Sequence, residues 1–305
     1  MRIAFIGLGS IAKKHIIAIK KIEPDVILFA VRHKKNAPVV KGIKNISLNN
    51  LAELNLDAII LSNPSVFHAQ FIEYLIPLNI AIMVEKPICV TKEQWVTLDK
   101  LTNKKLPIIY TACNLRFHPL IQFLKKYLKE EPGKIYEVNA YCGSYLPKWR
   151  SNTSYSNSYS AKADMGGGVQ FDLIHELDYM THLFGSALKI EKNHRKVSHL
   201  EIDSYDYANY FMTYKTFSAS ITLNYFRQDP KRTLEIVRQD ETIELNFIEG
   251  TIINLKTQEE LIGIGKQGME LSYLNQMKYF LSACNKSEQT INSLKESLQI
   301  IKTII

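Results

Sequence analysis

Ile3-Ala4-Phe5-Ile6-Gly7-Leu8-Gly9-Ser10-Ile11-Ala12 sets an apolar, strand-like run directly before Gly-x-Gly-x-x-Ala, and an amphipathic segment follows from Ile11 to Ile22. The spacing has a physical reading. Gly7 makes a tight turn and Gly9 lets a pyrophosphate approach the backbone. Ala12 is small enough for close packing of helix on strand, and the helix N-terminus opened by Ser10 and Ile11 attracts phosphate. A purely structural glycine turn is the alternative.

Working outward, strand and helix signals alternate. Strands are predicted at Ile3 to Gly7, Val26 to Val31, Asp57 to Leu61, Ile80 to Glu85 and Ile108 to Ala112, with helices at Val66 to Ile76 and Lys92 to Leu101. This is the pattern of a doubly wound parallel sheet. After Asn114 the rhythm changes. A helix from Pro119 to Lys129 and a Pro132-Gly133 break precede a strand from Ile135 to Tyr141; a Ser/Asn/Tyr-rich loop leads to one helix from Val169 to Phe184. Strands follow at Tyr205 to Tyr214, Ser218 to Tyr225, Thr233 to Val237 and Thr242 to Phe247, then helices at Glu270 to Cys284 and Ser293 to Ile304. The expected architecture is α/β: an N-terminal Rossmann domain over residues 1–114 and a C-terminal α+β domain over 115–305 with a largely antiparallel open sheet. The last helices have the option of packing back on the first domain.

A chain of 305 residues suits two cores with a ligand cleft. With 46% apolar and 22% charged residues it reads as a soluble globular protein. The longest apolar runs fall far short of the roughly 20 residues of a membrane span, and a strand begins at once after Met1-Arg2, so a cytoplasmic location is expected. Cys89, Cys113, Cys142 and Cys284 are too dispersed for a metal or redox pair and read as buried thiols. The net charge of +8 comes from lysines scattered along helices; this favours small anionic ligands over nucleic acid.

The acidic residue that usually holds the ribose hydroxyls of NAD at the end of the second strand is replaced by Arg32, followed by His33, Lys34 and Lys35. A guanidinium there suits a 2′-phosphate, so NADP(H) is preferred. If these residues are only a solvated basic loop, NAD(H) remains possible.

Three further segments complete a pattern: Ser62-Asn63-Pro64 with His68; Glu85-Lys86-Pro87; and Gly166-Gly167-Gly168-Val169-Gln170-Phe171-Asp172-Leu173-Ile174-His175. With the glycine motif they make the chain resemble the Gfo/Idh/MocA family of sugar and cyclitol oxidoreductases over essentially its whole length. The resemblance implies that Ser62, Asn63, Pro64, His68, Glu85 and Lys86 line the cofactor. It also implies that Lys86 reaches the reacting substrate hydroxyl, where it stabilises an alkoxide or relays its proton; otherwise it is a surface lysine. Asp172 and His175, three residues apart, are expected on one face of a single helix. By resemblance His175 is the general base and Asp172 positions substrate. Many members place this histidine four residues after the aspartate, and a satisfied helix histidine is the alternative for His175.

Tyr179 stands where a zinc motif His-Glu-x-x-His needs its second histidine, so no metal is expected. Arg116-Phe117-His118-Pro119 and Tyr145-Leu146-Pro147-Lys148-Trp149-Arg150 look like the family's substrate loops, with Arg116, Tyr145 and Trp149 as contacts; interdomain packing is the other reading of Phe117 and Trp149. Ser151, Asn152, Ser154, Ser156 and Asn157 make the following loop polar. The run from Tyr145 to Gly185 looks like members from gene clusters for bacterial surface saccharides. The expected activity is hydride transfer between nicotinamide and a carbinol of a sugar, nucleotide sugar or sugar acid, in a homodimer or homotetramer. A dinucleotide- or sugar-sensing regulator and an NAD-dependent glycoside-cleaving enzyme are the competing classes.

Overall fold

The computed structural model describes residues 1–32, 38–150, 154–286, 288 and 290–305. In chain order the elements begin with β1 (Arg2–Ile6), α1 (Ser10–Ile22), β2 (Ile27–Val31), β3 (Ile43–Ile46), β4 (Ala58–Leu61), α2 (His68–Leu75), β5 (Ala81–Glu85), α3 (Lys92–Leu101) and β6 (Ile109–Ala112). Then come α4 (Pro119–Glu130), β7 (Ile135–Gly143), α5 (Val169–Asp172), α6 (His175–Phe184), β8 (Lys189–Arg195), β9 (Tyr207–Thr213) and β10 (Ser218–Asn224). The chain continues through β11 (Lys231–Arg238), β12 (Thr242–Asn246), β13 (Thr251–Asn254), β14 (Glu259–Gly263), α7 (Gly268–Lys286) and α8 (Leu294–Ile304). Two compact units result. One holds Met1–Cys113 with Tyr273–Thr303, the other Asn114–Ser272.

In the first unit six parallel strands run in the order β3-β2-β1-β4-β5-β6. The reversal between β1 and β4 is the switch point where such sheets bind ligands. Ile3, Ala4 and Phe5 and Ala58 to Leu61 are fully buried. Strands covered on both faces read as continuous apolar runs, as these do. α8 starts with a capping box between Ser293 and Glu296, and Trp95 donates to the Leu298 carbonyl at 2.8 Å.

The second unit carries eight strands in the order β14-β13-β12-β11-β7-β10-β9-β8. All neighbours are antiparallel except β7 and β10. Alternation sets the faces: Val138, Ala140, Leu234, Ile236, Ile221 and Tyr210 are buried, whereas Phe211 is exposed.

Two sequence expectations change. β3, β8, β13 and β14 form strands where the sequence pattern predicts none. The helix expected from Val169 to Phe184 is two helices: Leu173 leaves helical geometry at φ −102°, ψ 27°, and the Glu176 amide bonds back only three residues, to Leu173. Asp172 therefore ends one helix and His175 begins the next; they do not share a helix face. Among the described residues no helix is long and apolar enough to cross a membrane. Cys89, Cys113 and Cys142 are buried and Cys284 is half-buried; burial pushes the Cys89 thiol up to about 12.

Candidate functional site

In the first unit, the carboxyl ends of β1, β4 and β5 bring three motifs together. Gly7 has φ +98°, and a Cβ there would lie 2.6 Å from backbone atoms of Ser62 and Asn63. Only glycine permits that approach. Ser62 donates from Oγ to the Gly7 carbonyl at 2.8 Å, so it braces the turn. At Gly9 a Cβ would meet nothing within 4 Å, and α1 begins with no side-chain cap and no acidic residue in its first turn. Its first amides, at Ser10 and Ile11 with Ala12 buried behind them, carry no side-chain cap, which fits an anion at a helix N-terminus. Both polar atoms of the Asn63 carboxamide are buried without a hydrogen-bond partner. A buried amide is costly in that state, and a polar ligand group would satisfy it. The residues present thus fit a dinucleotide. Arg32 follows β2, half-buried, its amide bonded to the Ile46 carbonyl at 3.0 Å; His33, Lys34 and Lys35 lie outside the described residues.

Lys86 is half-buried and precedes a cis peptide to Pro87. Glu85, expected to line the cofactor, meets His15 of α1, a residue that carries no motif in the sequence. Glu85 Oε1 lies 2.5 Å from His15 Nε2, with His15 wholly buried. His68 is also buried, its Nδ1 2.8 Å from the Pro87 carbonyl and its Nε2 3.0 Å from that of Asn63. Burial holds this imidazole below its ordinary pKa against the pull of both carbonyls and of Glu85, so one ring nitrogen donates at a time. Pro64 is exposed beside this bracket.

In the second unit the triple glycine opens α5. A side chain at 167 would collide with the carbonyls of Tyr159 and Ser160, and Gly168 sits at φ +121°. The turn delivers Asp172, 6% exposed, into a clamp: Tyr159 Oη donates to Oδ1 at 2.7 Å and Tyr225 Oη to Oδ2 at 2.6 Å. The Asp172 charge, with burial, lifts the Tyr159 hydroxyl well above its usual pKa; burial first and then Asp172 do the same to Tyr225. Both stay protonated donors to its two oxygens. His175, three positions on, is half-buried. The two tyrosines carried no motif in the sequence; they are recognised only by where the fold puts them.

Trp149 stands edge-on to Tyr225 at 5.3 Å and is 37% exposed, its indole donating to Ser144 Oγ at 2.8 Å. Arg150 lies over the Tyr159 ring, and Tyr145 Oη is 3.4 Å from His199 Nε2. An aromatic, partly exposed surface therefore adjoins the clamp, while Ser151 and Asn152 lie outside the described residues. Arg116 departs from expectation. It is 4% exposed, and its guanidinium bonds Asp178 of α6, Nε to both oxygens at 3.0 Å and Nη2 to Oδ1 at 2.8 Å. A planar fork matched to a wholly buried carboxylate is a packing device. Among the described residues no three His, Cys, Asp or Glu side chains gather as a metal site.

Residues 1–111 match the model of the GFO_IDH_MocA oxidoreductase family, described as having an NAD-binding Rossmann fold. Over 159 residues, 52% of this chain and 42% of the relative, the sequence is 26% identical to the scyllo-inositol 2-dehydrogenase (NADP(+)) IolW of Bacillus subtilis. The matches span about half the length of the curated relatives. Among solved structures, an oxidoreductase from Thermotoga maritima superposes with a TM-score of 0.85 at 20% identity, covering 100% of this chain and 94% of that one. The WlbA dehydrogenase from Bordetella pertussis, in complex with NADH and UDP-GlcNAcA, gives 0.80 at 17% identity, covering 100% and 93%. At such identities the structures establish the fold. Residues 1–111, which include the glycine turn and the Glu85-Lys86-Pro87 strand end, therefore form an NAD-binding Rossmann domain of the Gfo/Idh/MocA oxidoreductase type.

Proposed function

We propose that the chain is an NAD(P)-dependent dehydrogenase moving a hydride between nicotinamide and a carbinol carbon of a sugar, nucleotide sugar or sugar acid. The observation that carries the reading is the meeting, at the carboxyl ends of β1, β4 and β5, of an open glycine turn, an unsatisfied buried Asn63 carboxamide and Lys86. The first unit serves as the dinucleotide domain and the second as the substrate domain. When bound, the nicotinamide supplies the hydride acceptor or donor.

The protein's own residues do the rest. The first amides of α1 hold the pyrophosphate and Arg32 pairs with a 2′-phosphate, which favours NADP(H) over NAD(H). The Asn63 carboxamide hydrogen-bonds a polar edge of the cofactor. Lys86 steadies the substrate oxygen as negative charge develops there. His175 takes the hydroxyl proton. Asp172, oriented by its two tyrosines, accepts from a neighbouring substrate hydroxyl. Trp149 and Tyr145 offer aromatic surface to a sugar ring. A nucleotide-sugar or cyclitol substrate is supported by the names of the B. pertussis and B. subtilis relatives. Association into a dimer or tetramer through the outer face of the eight-stranded sheet, where Phe211 is exposed, belongs to the same proposal.

The test is a screen of nucleotide sugars, sugar acids and cyclitols with both cofactors, followed by Lys86→Ala and His175→Ala on the best substrate. Each variant is expected to lose roughly 100-fold or more in turnover, the scale of acid–base help. His175→Ala should keep cofactor affinity and lose the ascending limb of the pH profile. Near-normal turnover with the limb intact would assign the base elsewhere.

A further inference from the structure

Lys86 stands between two residues that are each held by a buried histidine from a different helix. Ahead of it, Glu85 is engaged by His15 of α1; after it, the Pro87 carbonyl is engaged by His68 of α2. His15 lies on the buried face of α1 with Ala12, Ala18 and Ile19, and Tyr273 packs edge-on against its ring at 6.1 Å. His68 reaches Asn63 with its other nitrogen, and Asn63 in turn abuts Gly7. His15 therefore ties α1 to the end of β5, and His68 donates to the Pro87 carbonyl or, in its other tautomer, to that of Asn63, with Lys86 between the two held residues.

We propose that His15 and His68 are positioning residues for Lys86, and that through His15 the helix which seats the cofactor's pyrophosphate also fixes the lysine's backbone. The inference rests on the dehydrogenase reading given above. A backbone held on both sides limits where a long, flexible lysine can place its ammonium, and a displacement of about 1 Å at a reacting centre costs on the order of 100-fold. Glu85 is 9% exposed and its carboxyl group approaches His15 at 2.5 Å, so loss of the imidazole leaves a buried polar group that must find a new partner. The nearest rearrangement is rotation of the strand end that carries Lys86.

The experiment compares His15→Leu, His15→Gln and His68→Leu in the full chain. Glutamine places an amide donor near the position of Nε2. Four readouts are taken: melting temperature, NADPH affinity by fluorescence, the split between kcat and KM, and the NMR signal of 13C-dimethylated Lys86, assigned by its loss in Lys86→Arg. His15→Leu and His68→Leu are expected to lower kcat about 10- to 100-fold with KM and cofactor affinity close to wild type, and to shift the Lys86 signal. His15→Gln is expected to restore most of both. If His15→Leu does not fold, His15→Asn, whose amide stops short of Glu85, takes its place. An unmoved Lys86 signal in folded His15→Leu, or in His15→Asn where that replaces it, overturns the proposal, as does a loss of kcat that follows melting temperature and is not restored by glutamine. If the wild-type protein oxidises none of the sugars tested, the dehydrogenase reading fails, and the Lys86 signal still decides whether the histidines position that lysine.

Discussion

Replacing Arg116 by methionine separates two roles that a sequence alone leaves mixed. In the structure the guanidinium makes three contacts of 2.8 to 3.0 Å with Asp178, and the side chains are 5% and 0% exposed. Methionine keeps much of the volume and removes the charge, which strands a dry carboxylate. Breaking such a pair from one side costs about 3–5 kcal/mol. With about 2–4 °C per kcal/mol for a domain of this size, the transition of the second unit should fall by roughly 6–20 °C. The paired variant Arg116→Met with Asp178→Leu should recover most of that loss, because a buried ion pair replaced whole by apolar groups is often neutral. Differential scanning calorimetry of the three proteins measures this directly, and steady-state kinetics is run beside it. An Arg116→Met protein that melts like wild type but has a raised KM for its sugar would refute the assignment and return the arginine to the substrate loop.

Three other outcomes are expected. Tyr159→Phe and Tyr225→Phe each delete a hydrogen bond to the Asp172 carboxylate, worth about 1.5–3 kcal/mol; urea midpoints should drop, and the double variant should depart from additivity because one carboxylate is shared. Arg32→Ala should weaken NADPH binding about tenfold or more, the scale of a charged hydrogen bond, and leave NADH binding unchanged; equal losses by calorimetric titration would remove the NADP preference. His118, depressed to about 4 by burial and then by Arg232, resists protonation when folded. Its contribution is therefore complete above about pH 6.5 and disappears as pH falls toward 4. His118→Asn keeps an acceptor at the start of α4 and should flatten the dependence of melting temperature on pH across that window; an unchanged slope would show that other groups set it.

The parallel sheet was legible because its strands are covered on both faces and so read as unbroken apolar runs: Ile3 to Ile6, Ala58 to Leu61, Ile82 to Val84. The strands that were missed lie at or next to sheet edges. β8 reads Lys-Ile-Glu-Lys-Asn-His-Arg, and an edge strand under little apolar cover leaves a weak alternation. The break at Leu173 was hidden because apolar residues continue across it, from Phe171 to Ile174 and Leu177. Motifs located the glycine turn, Lys86 and the Asp172 segment, since each is a local run of residues. Partners were another matter: His15 finds Glu85 70 positions away, Arg116 finds Asp178 62 away, and Tyr225 finds Asp172 53 away. A single sequence holds no signal for such pairings. The sequence points Arg116 toward substrate for that reason, since nothing nearby announces the carboxylate it bonds, Asp178.

The one parallel pairing in the eight-stranded sheet bears on how the protein is made. β7 lies between β10 and β11, with Gly143 beside Asn224 on one side and Lys231 on the other, so both neighbours of this central strand leave the ribosome some eighty residues after it. At synthesis rates of about 5–20 residues per second, β7 waits several seconds with both edges bare while the glycine turn, α5, α6 and the β8–β9 hairpin are still emerging. Long-range pairing of this kind is slow and exposes an adhesive strand. The segment that builds the carboxylate clamp is thus also the loop that must be complete before the sheet can close, and substitutions there should lower the yield of folded protein during translation even where the finished molecule tolerates them.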